Sequence, residues 1–232
     1  QIHQNIYTMS NNTNICKPLS STSPRYFYDP SLFPELSIFK ENLDIIRKEA
    51  IELHQNTTEK DVLGHVVGNF DQWAGDEKFQ ELGSKMASES GWMKWWNNEE
   101  PSSAQVTDHL DWTIFGFIYE QGKTLDGNCA RCPKTAALLN SVKNIRVAGF
   151  SRLKPKTDIN PHTGFTGRQY NSLAFHLGLV IPENKKNAEH PPCALKCGKE
   201  THFWQAPGET IVFDDTFVHS AWNHSDDQVR II

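Results

Sequence analysis

The chain has no run of 18 apolar residues anywhere in its 232, so no segment offers the length of a membrane-crossing helix. It has no run of six or more like charges and no internal repeat. Basic residues are in deficit: 23 Lys and Arg stand against 28 Asp and Glu, a net charge of -5, which speaks against a nucleic-acid footprint. Gln1 to Thr13 is mostly polar and carries no apolar run of the kind a signal peptide has, and the expectation is a cytoplasmic protein away from membranes. Asn-x-Ser/Thr tripeptides at Asn11, Asn56 and Asn223 do not establish secretion. Cysteine is sparse and ambiguous, as Cys129-x-x-Cys132, Cys193-x-x-x-Cys197 and a lone Cys16. Free thiols, one or two disulfides and a four-thiolate zinc site all remain open on spacing alone.

What is present suits one domain, with 38% hydrophobic and 22% charged residues. Residues 1–24, rich in Asn, Ser and Thr, read as a poorly ordered tail, and 25–232 as a single unit. Leu36, Phe39, Leu43, Ile46, Ala50 and Leu53 recur at gaps of three and four, the stripe of an amphipathic helix. Trp92, Trp95 and Trp96 form an aromatic cluster, read either as core or as a substrate-facing wall. Trp112 to Tyr119 is dense in β-formers, and Pro133 to Lys143 reads as a helix with Pro in its first turn. Ile145–Leu153, Ser172–Ile181, His202–Trp204, Thr210–Phe213 and Val229–Ile232 read as short strands. Helices before strands predict an α+β fold, with helical support over about 25–106 buttressing a double-stranded β-helix, or jelly-roll, core over about 107–232.

Three of the ten histidines, His162, His176 and His219, sit in strand-rich, low-charge surroundings. Sequence-distant histidines on neighbouring strands are how a jelly roll builds an iron centre, although each taken singly is more often structural. The ordered motifs around them carry more weight. They are Phe150 to Pro155, Pro161 to Gly164, His176 to Pro182, Lys199 to Thr201, Trp204, and Ile211 to Phe217 followed by His219 and Arg230. Upstream, Trp112, Gln121-Gly122 and Cys129 to Thr135 follow the same order. Together they resemble the catalytic domain of the aspartyl/asparaginyl β-hydroxylase family of Fe(II)- and 2-oxoglutarate-dependent oxygenases.

The resemblance implies a metal held by His162 and His219 alone, with Gly164 where other iron oxygenases place a carboxylate. The open position would take water or a halide. It further implies that Arg230 pairs with the distal carboxylate of 2-oxoglutarate, where a planar fork suits bidentate binding, beside the Ser151 hydroxyl. His176 would lie near the other carboxylate, Asp215 close to the metal, and Trp112 at the substrate pocket. The implied reaction is hydroxylation of an aliphatic C–H bond with O2, giving succinate and CO2, with ascorbate as an accessory reductant. The substrate would be a peptide or protein side chain or a small molecule. Halogenation at the carboxylate-free metal is the alternative within the family, and a zinc-binding or interaction module built on the four paired cysteines is the alternative outside it.

Two positions depart from the family pattern. Ala174 stands two residues before His176, where the family has an arginine, and Arg168 and Lys196 are the candidate replacements, neither matching the motif. Cys132 does not sit where the family places the bridge partner of the cysteine at 129, a position filled here by Ala136.

Overall fold

A computed structural model describes residues 24–57, 62–66, 90–95, 112–119, 122–164, 172–185 and 188–232. The stretch read as a tail lies, up to residue 23, outside the described residues, as do Cys16, Trp96, Gln121, Arg168 and the Trp95 side chain. The apolar stripe folds as helix, but in two pieces: α1 (Ser37–Glu41) and α2 (Leu43–Gln55). Asn42 breaks them, its side chain donating to the Ile38 carbonyl at 2.8 Å and so competing with the backbone ladder. The stripe nonetheless stays on one face, and Leu36, Phe39, Ile46, Ala50 and Leu53 are all buried. Two further helices follow, α3 (Asp126–Arg131) and α4 (Pro133–Ser141). The Glu49 carboxylate docks α2 against α4 by accepting from the Lys134 and Thr135 amides at 3.0 and 2.8 Å, where a helix N-terminus leaves donors unpaired.

Among the described residues the strands form three sheets, and every pairing but one is antiparallel. A six-stranded sheet runs in the order β13 (Arg230–Ile231), β6 (Ala148–Leu153), β4 (Trp112–Tyr119), β3 (Trp92–Trp95) and β2 (Val62–Val66), with β5 (Lys123–Thr124) hung on β4. Within it β2 and β3 are parallel. A four-stranded sheet has the order β10 (Glu200–Phe203), β9 (Cys193–Cys197), β12 (His219–Asn223), β7 (Thr157–His162). A three-stranded sheet has the order β1 (Phe27–Tyr28), β11 (Thr210–Phe213), β8 (Ala174–Leu177). The molecule is thus a mixed α and β fold with mostly antiparallel sheets. Two expected strands are shorter than read: β6 starts at Ala148, after Asn144 with its φ of 65°, and β8 stops at Leu177, where the Gly178 amide leaves the sheet for the Glu209 carbonyl.

Side chains alternate across a strand, so the six-stranded sheet has two distinct faces. Thr113 and Arg152 are directly paired, as are Arg152 and Ile231, and this face turns to the helices. There Phe39, Ile46, Trp92, Phe115, Phe150 and Ile231 form the first core cluster. Trp112 and Arg230 are each paired with Leu153 and share the other face with Ser151. That face meets the second core cluster, which contains Leu153, Leu195, Cys197, Trp204, Ile211 and Phe213. Buried Asn223 ties the layers together: its amide donates to the Leu153, Lys154 and Gln228 carbonyls at 3.1, 3.0 and 2.9 Å.

Candidate active site

Strands β7 and β12 lie side by side, and their register sets His162 directly opposite His219. The two imidazoles approach to 4.3 Å between ring centres. Each Nδ1 faces a carbonyl two residues earlier, His162 that of Asn160 at 2.7 Å and His219 that of Phe217 at 2.9 Å. A carbonyl only accepts, so Nδ1 carries the proton in both rings and the lone pair is on Nε2, the tautomer a metal ligand needs. Burial lowers the pKa of His162, and burial together with the neighbouring His162 pushes His219 down to about 4. Both rings are therefore neutral at neutral pH. Among the described residues, no three His, Cys, Asp or Glu side chains converge in a larger metal-holding group.

Four more of the expected residues, Trp112, Ser151, His176 and Arg230, lie near the two histidines. The Trp112 indole N–H donates to the Ser151 hydroxyl at 3.1 Å, and its ring lies 6.0 Å from His162. His176, on β8, reaches His219 through Phe213, which packs edge-on against both, at 5.0 and 5.4 Å. Burial, then the charge of Arg230 and then His219 push the His176 pKa down to about 3. Arg230 is 3% exposed. Its strand is held on one side by β6 and on the other by a bridge between Ile231 and Val180, so the backbone that carries the guanidinium is fixed. Burial pushes the guanidinium down to about 10. Among the described residues, its Nε has no hydrogen-bond partner and no carboxylate pairs with it. A desolvated cation without a counter-charge is costly unless a ligand supplies one.

Asp215 is buried in the loop between β11 and β12. Its carbonyl accepts the Gly164 amide at 2.6 Å, and its carboxylate fills the space a Gly164 side chain would need, because a Cβ there would fall on Asp215 Oδ2. Gly164 is thus required for close packing of that acid beside the two-histidine pair.

Other residues do not join this group. Lys196 is exposed and paired with Ser220, on the face of β9 and β12 opposite Cys197 and His219, so it does not supply the cation missing at Ala174. Trp92 is 0% exposed in the helix-side cluster, stacked under Arg152 and donating to Thr57 at 2.7 Å, so it is core rather than a substrate wall. The four described cysteines are free thiols. Cys129 and Cys132 pack with the first core cluster and Cys193 and Cys197 with the second, so the four-thiolate alternative does not form. Phe213, the ring between His176 and His219, escapes sequence reasoning. Alternation along Thr210–Phe213 would put it on the same face as Ile211, but nothing local marks the histidines it meets.

The donor set fits a divalent iron and a dicarboxylate. Two neutral, tautomer-fixed imidazoles suit the metal, and a buried arginine lacking a carboxylate suits the acid. Comparison with known proteins places the chain in a hydroxylase family. Residues 77–232 match the family model described as aspartyl/asparaginyl beta-hydroxylase. The mouse aspartyl/asparaginyl beta-hydroxylase is 32% identical over 127 residues, covering 53% of this chain and 16% of that protein. An ornithine lipid ester-linked acyl 2-hydroxylase of Rhizobium tropici is 32% identical over 128 residues, 55% of this chain and 41% of that one. The chain thus covers less than half the length of either relative. A solved 2OG-Fe(II) oxygenase family oxidoreductase from Burkholderia pseudomallei is similar with a TM-score of 0.33 and 11% identity, over 75% of this chain and 93% of that one, too distant to bear on the fold. Among the described residues no helix is long and apolar enough to cross a membrane.

Proposed function

The chain belongs to the aspartyl/asparaginyl β-hydroxylase family, and on that premise we propose that it is an Fe(II)- and 2-oxoglutarate-dependent dioxygenase that hydroxylates an aliphatic C–H bond. We read 25–232 as one oxygenase domain whose sheets close as a double-stranded β-helix. The observation that carries the proposal is the facing pair His162 and His219, 4.3 Å apart and each fixed through Nδ1. When bound, iron with 2-oxoglutarate supplies the oxidation by O2, releasing succinate and CO2. His162 and His219 hold the metal through Nε2. Arg230 takes the distal carboxylate as a fork, with the Ser151 hydroxyl beside it, itself oriented by Trp112. His176 is held neutral and lies between the arginine and the metal end, where it donates to or accepts from the near carboxylate without adding charge.

Asp215 favours hydroxylation over halogenation in this reading. Its carboxylate occupies the space beside Gly164, so a second anion at the carboxylate-free metal position meets a like charge. The substrate class remains a peptide or protein side chain or a small molecule, with Trp112 at its rim. The test is succinate release from 2-oxoglutarate by iron-loaded protein. It should require Fe(II) and fall to background in His162→Ala and in His219→Ala. Iron-loaded protein that neither binds nor turns over 2-oxoglutarate would refute the proposal.

A further inference from the structure

We infer that Tyr26, which precedes the family-matched residues 77–232, is a positioning residue for His219 and acts through Phe217. The inference rests on the reading of His219 as a metal ligand. The His219 tautomer is set by the Phe217 carbonyl, which accepts from Nδ1 at 2.9 Å and helps to orient the ring. Phe217 is partly exposed and lies in the loop between β11 and β12, outside any strand ladder. Its amide donates to the Asp214 carbonyl at 3.3 Å, and its ring is steadied from the other end of the chain. The Tyr26 ring packs edge-on against the Phe217 ring, 4.9 Å between centres at 79°. Directly after Tyr26, β1 adds to the edge of β11, pairing Phe27 with Phe213 and Tyr28 with Val212. The Asp214 amide then donates to the Tyr26 carbonyl at 3.0 Å, so the strap is stitched to the first residue of the loop as well.

A third contact closes the arrangement. At the turn after β9, Gly198 has a φ of +55°, and a Cβ there would fall inside the Tyr26 ring. The same glycine donates its amide to the Val218 carbonyl at 2.9 Å, one residue before His219. Tyr26 therefore fills a cradle formed by a turn and a loop that both lead to the histidine. Remove the ring, and Phe217 loses its aromatic partner while the turn loses its cover. The carbonyl that fixes His219 Nδ1–H is then free to shift. Groups that orient a ligand histidine typically contribute about 10- to 100-fold in metal affinity.

The experiment uses the full chain with Co(II) as the probe, its affinity and visible absorption measured in wild type, Tyr26→Ala, Tyr26→Phe and Tyr28→Ala. Tyr28 is the control, because it sits on the same strap but packs in the helix-side core cluster. The inference expects Tyr26→Ala to bind Co(II) about 10-fold more weakly, with an altered visible band. Tyr26→Phe should restore both affinity and band. Tyr28→Ala should lower the thermal midpoint while leaving Co(II) binding unchanged. Wild-type affinity and spectrum in Tyr26→Ala, or an equal loss in Tyr28→Ala, would overturn it. If wild type binds no Co(II), or binds it equally well after His219→Ala, the metal reading itself fails and this inference with it.

Discussion

Two buried arginines lie on adjoining strands and meet opposite fates. Arg152 on β6 and Arg230 on β13 are 7% and 3% exposed, and burial pushes both guanidiniums down to about 10. Neither has a carboxylate partner among the described residues. Arg152 faces the helices and is provided for by the protein. Its Nε donates to Thr113 at 2.9 Å, its Nη1 reaches His54 Nδ1 at 3.3 Å, and its charge lies 4.1 Å from the centre of the Trp92 ring. Arg230 faces the sheet interior with His176 nearby and its Nε unpartnered. Similar burial with unequal satisfaction separates a structural cation from one kept for a ligand. On the proposed reading, Arg230 is left incomplete where the dicarboxylate would bind.

Exchanging each arginine for methionine tests this contrast, and the largest effect is expected at Arg230. Removing one partner of a buried charge pair costs roughly 2–5 kcal/mol, so Arg230→Met should weaken 2-oxoglutarate binding by about 10²- to 10³-fold in calorimetry. The ligand-free protein should lose no stability, and gain about 1 kcal/mol if relief of the uncompensated charge dominates. Arg152→Met should do the reverse. Loss of its hydrogen bonds and ring contact should cost about 2–3 kcal/mol in urea unfolding, with 2-oxoglutarate affinity unchanged. Equal effects of the two substitutions on binding would break the comparison.

Asn223→Ala comes next, at about 2 kcal/mol of stability, because it removes the buried amide that the Leu153, Lys154 and Gln228 carbonyls share on the approach to Arg230. A weaker 2-oxoglutarate affinity should accompany the lost stability, which separates it from Arg152→Met. The smallest effect is a pH dependence. His176, at about 3, and His219, at about 4, lie below the ordinary histidine value of 6.5 in the folded protein. Between those values and about 6.5 the unfolded chain binds more protons, so stability falls as pH falls through that window. The urea midpoint of metal-free protein should drop from pH 7 towards pH 5, less steeply in His176→Asn. A flat profile in wild type would contradict the buried neutral histidines.

The same contrast explains what the sequence disclosed. Strands β4 and β11 were legible to the residue because Trp112–Tyr119 and Thr210–Phe213 are runs of β-branched and aromatic residues. Strands β7, β9 and β12, which build the histidine sheet, were not. Thr157–His162 contains Pro161, tolerated only because β7 is the edge strand. Cys193–Cys197 reads as a cysteine pair, and His219–Asn223 places its histidine and asparagine on the buried face. Their polarity is functional or hub-forming, so it hides the alternation that marks a strand. The site residues were found through the order of motifs along the chain instead. Arg230 could be named that way, but not its missing partner. That depends on β13 being set between β6 and Val180, a contact with no local trace. The break of the helical stripe at Asn42 and the burial of Trp92 likewise depend on tertiary contacts.

The most direct test of the account is calorimetric titration of 2-oxoglutarate into metal-loaded wild type and Arg230→Met. One-to-one binding in the wild type, lost or weakened by about 10²-fold in the variant with its fold intact, is the predicted result. Equally tight binding by both proteins would contradict it, because the buried guanidinium would then be a structural cation like Arg152.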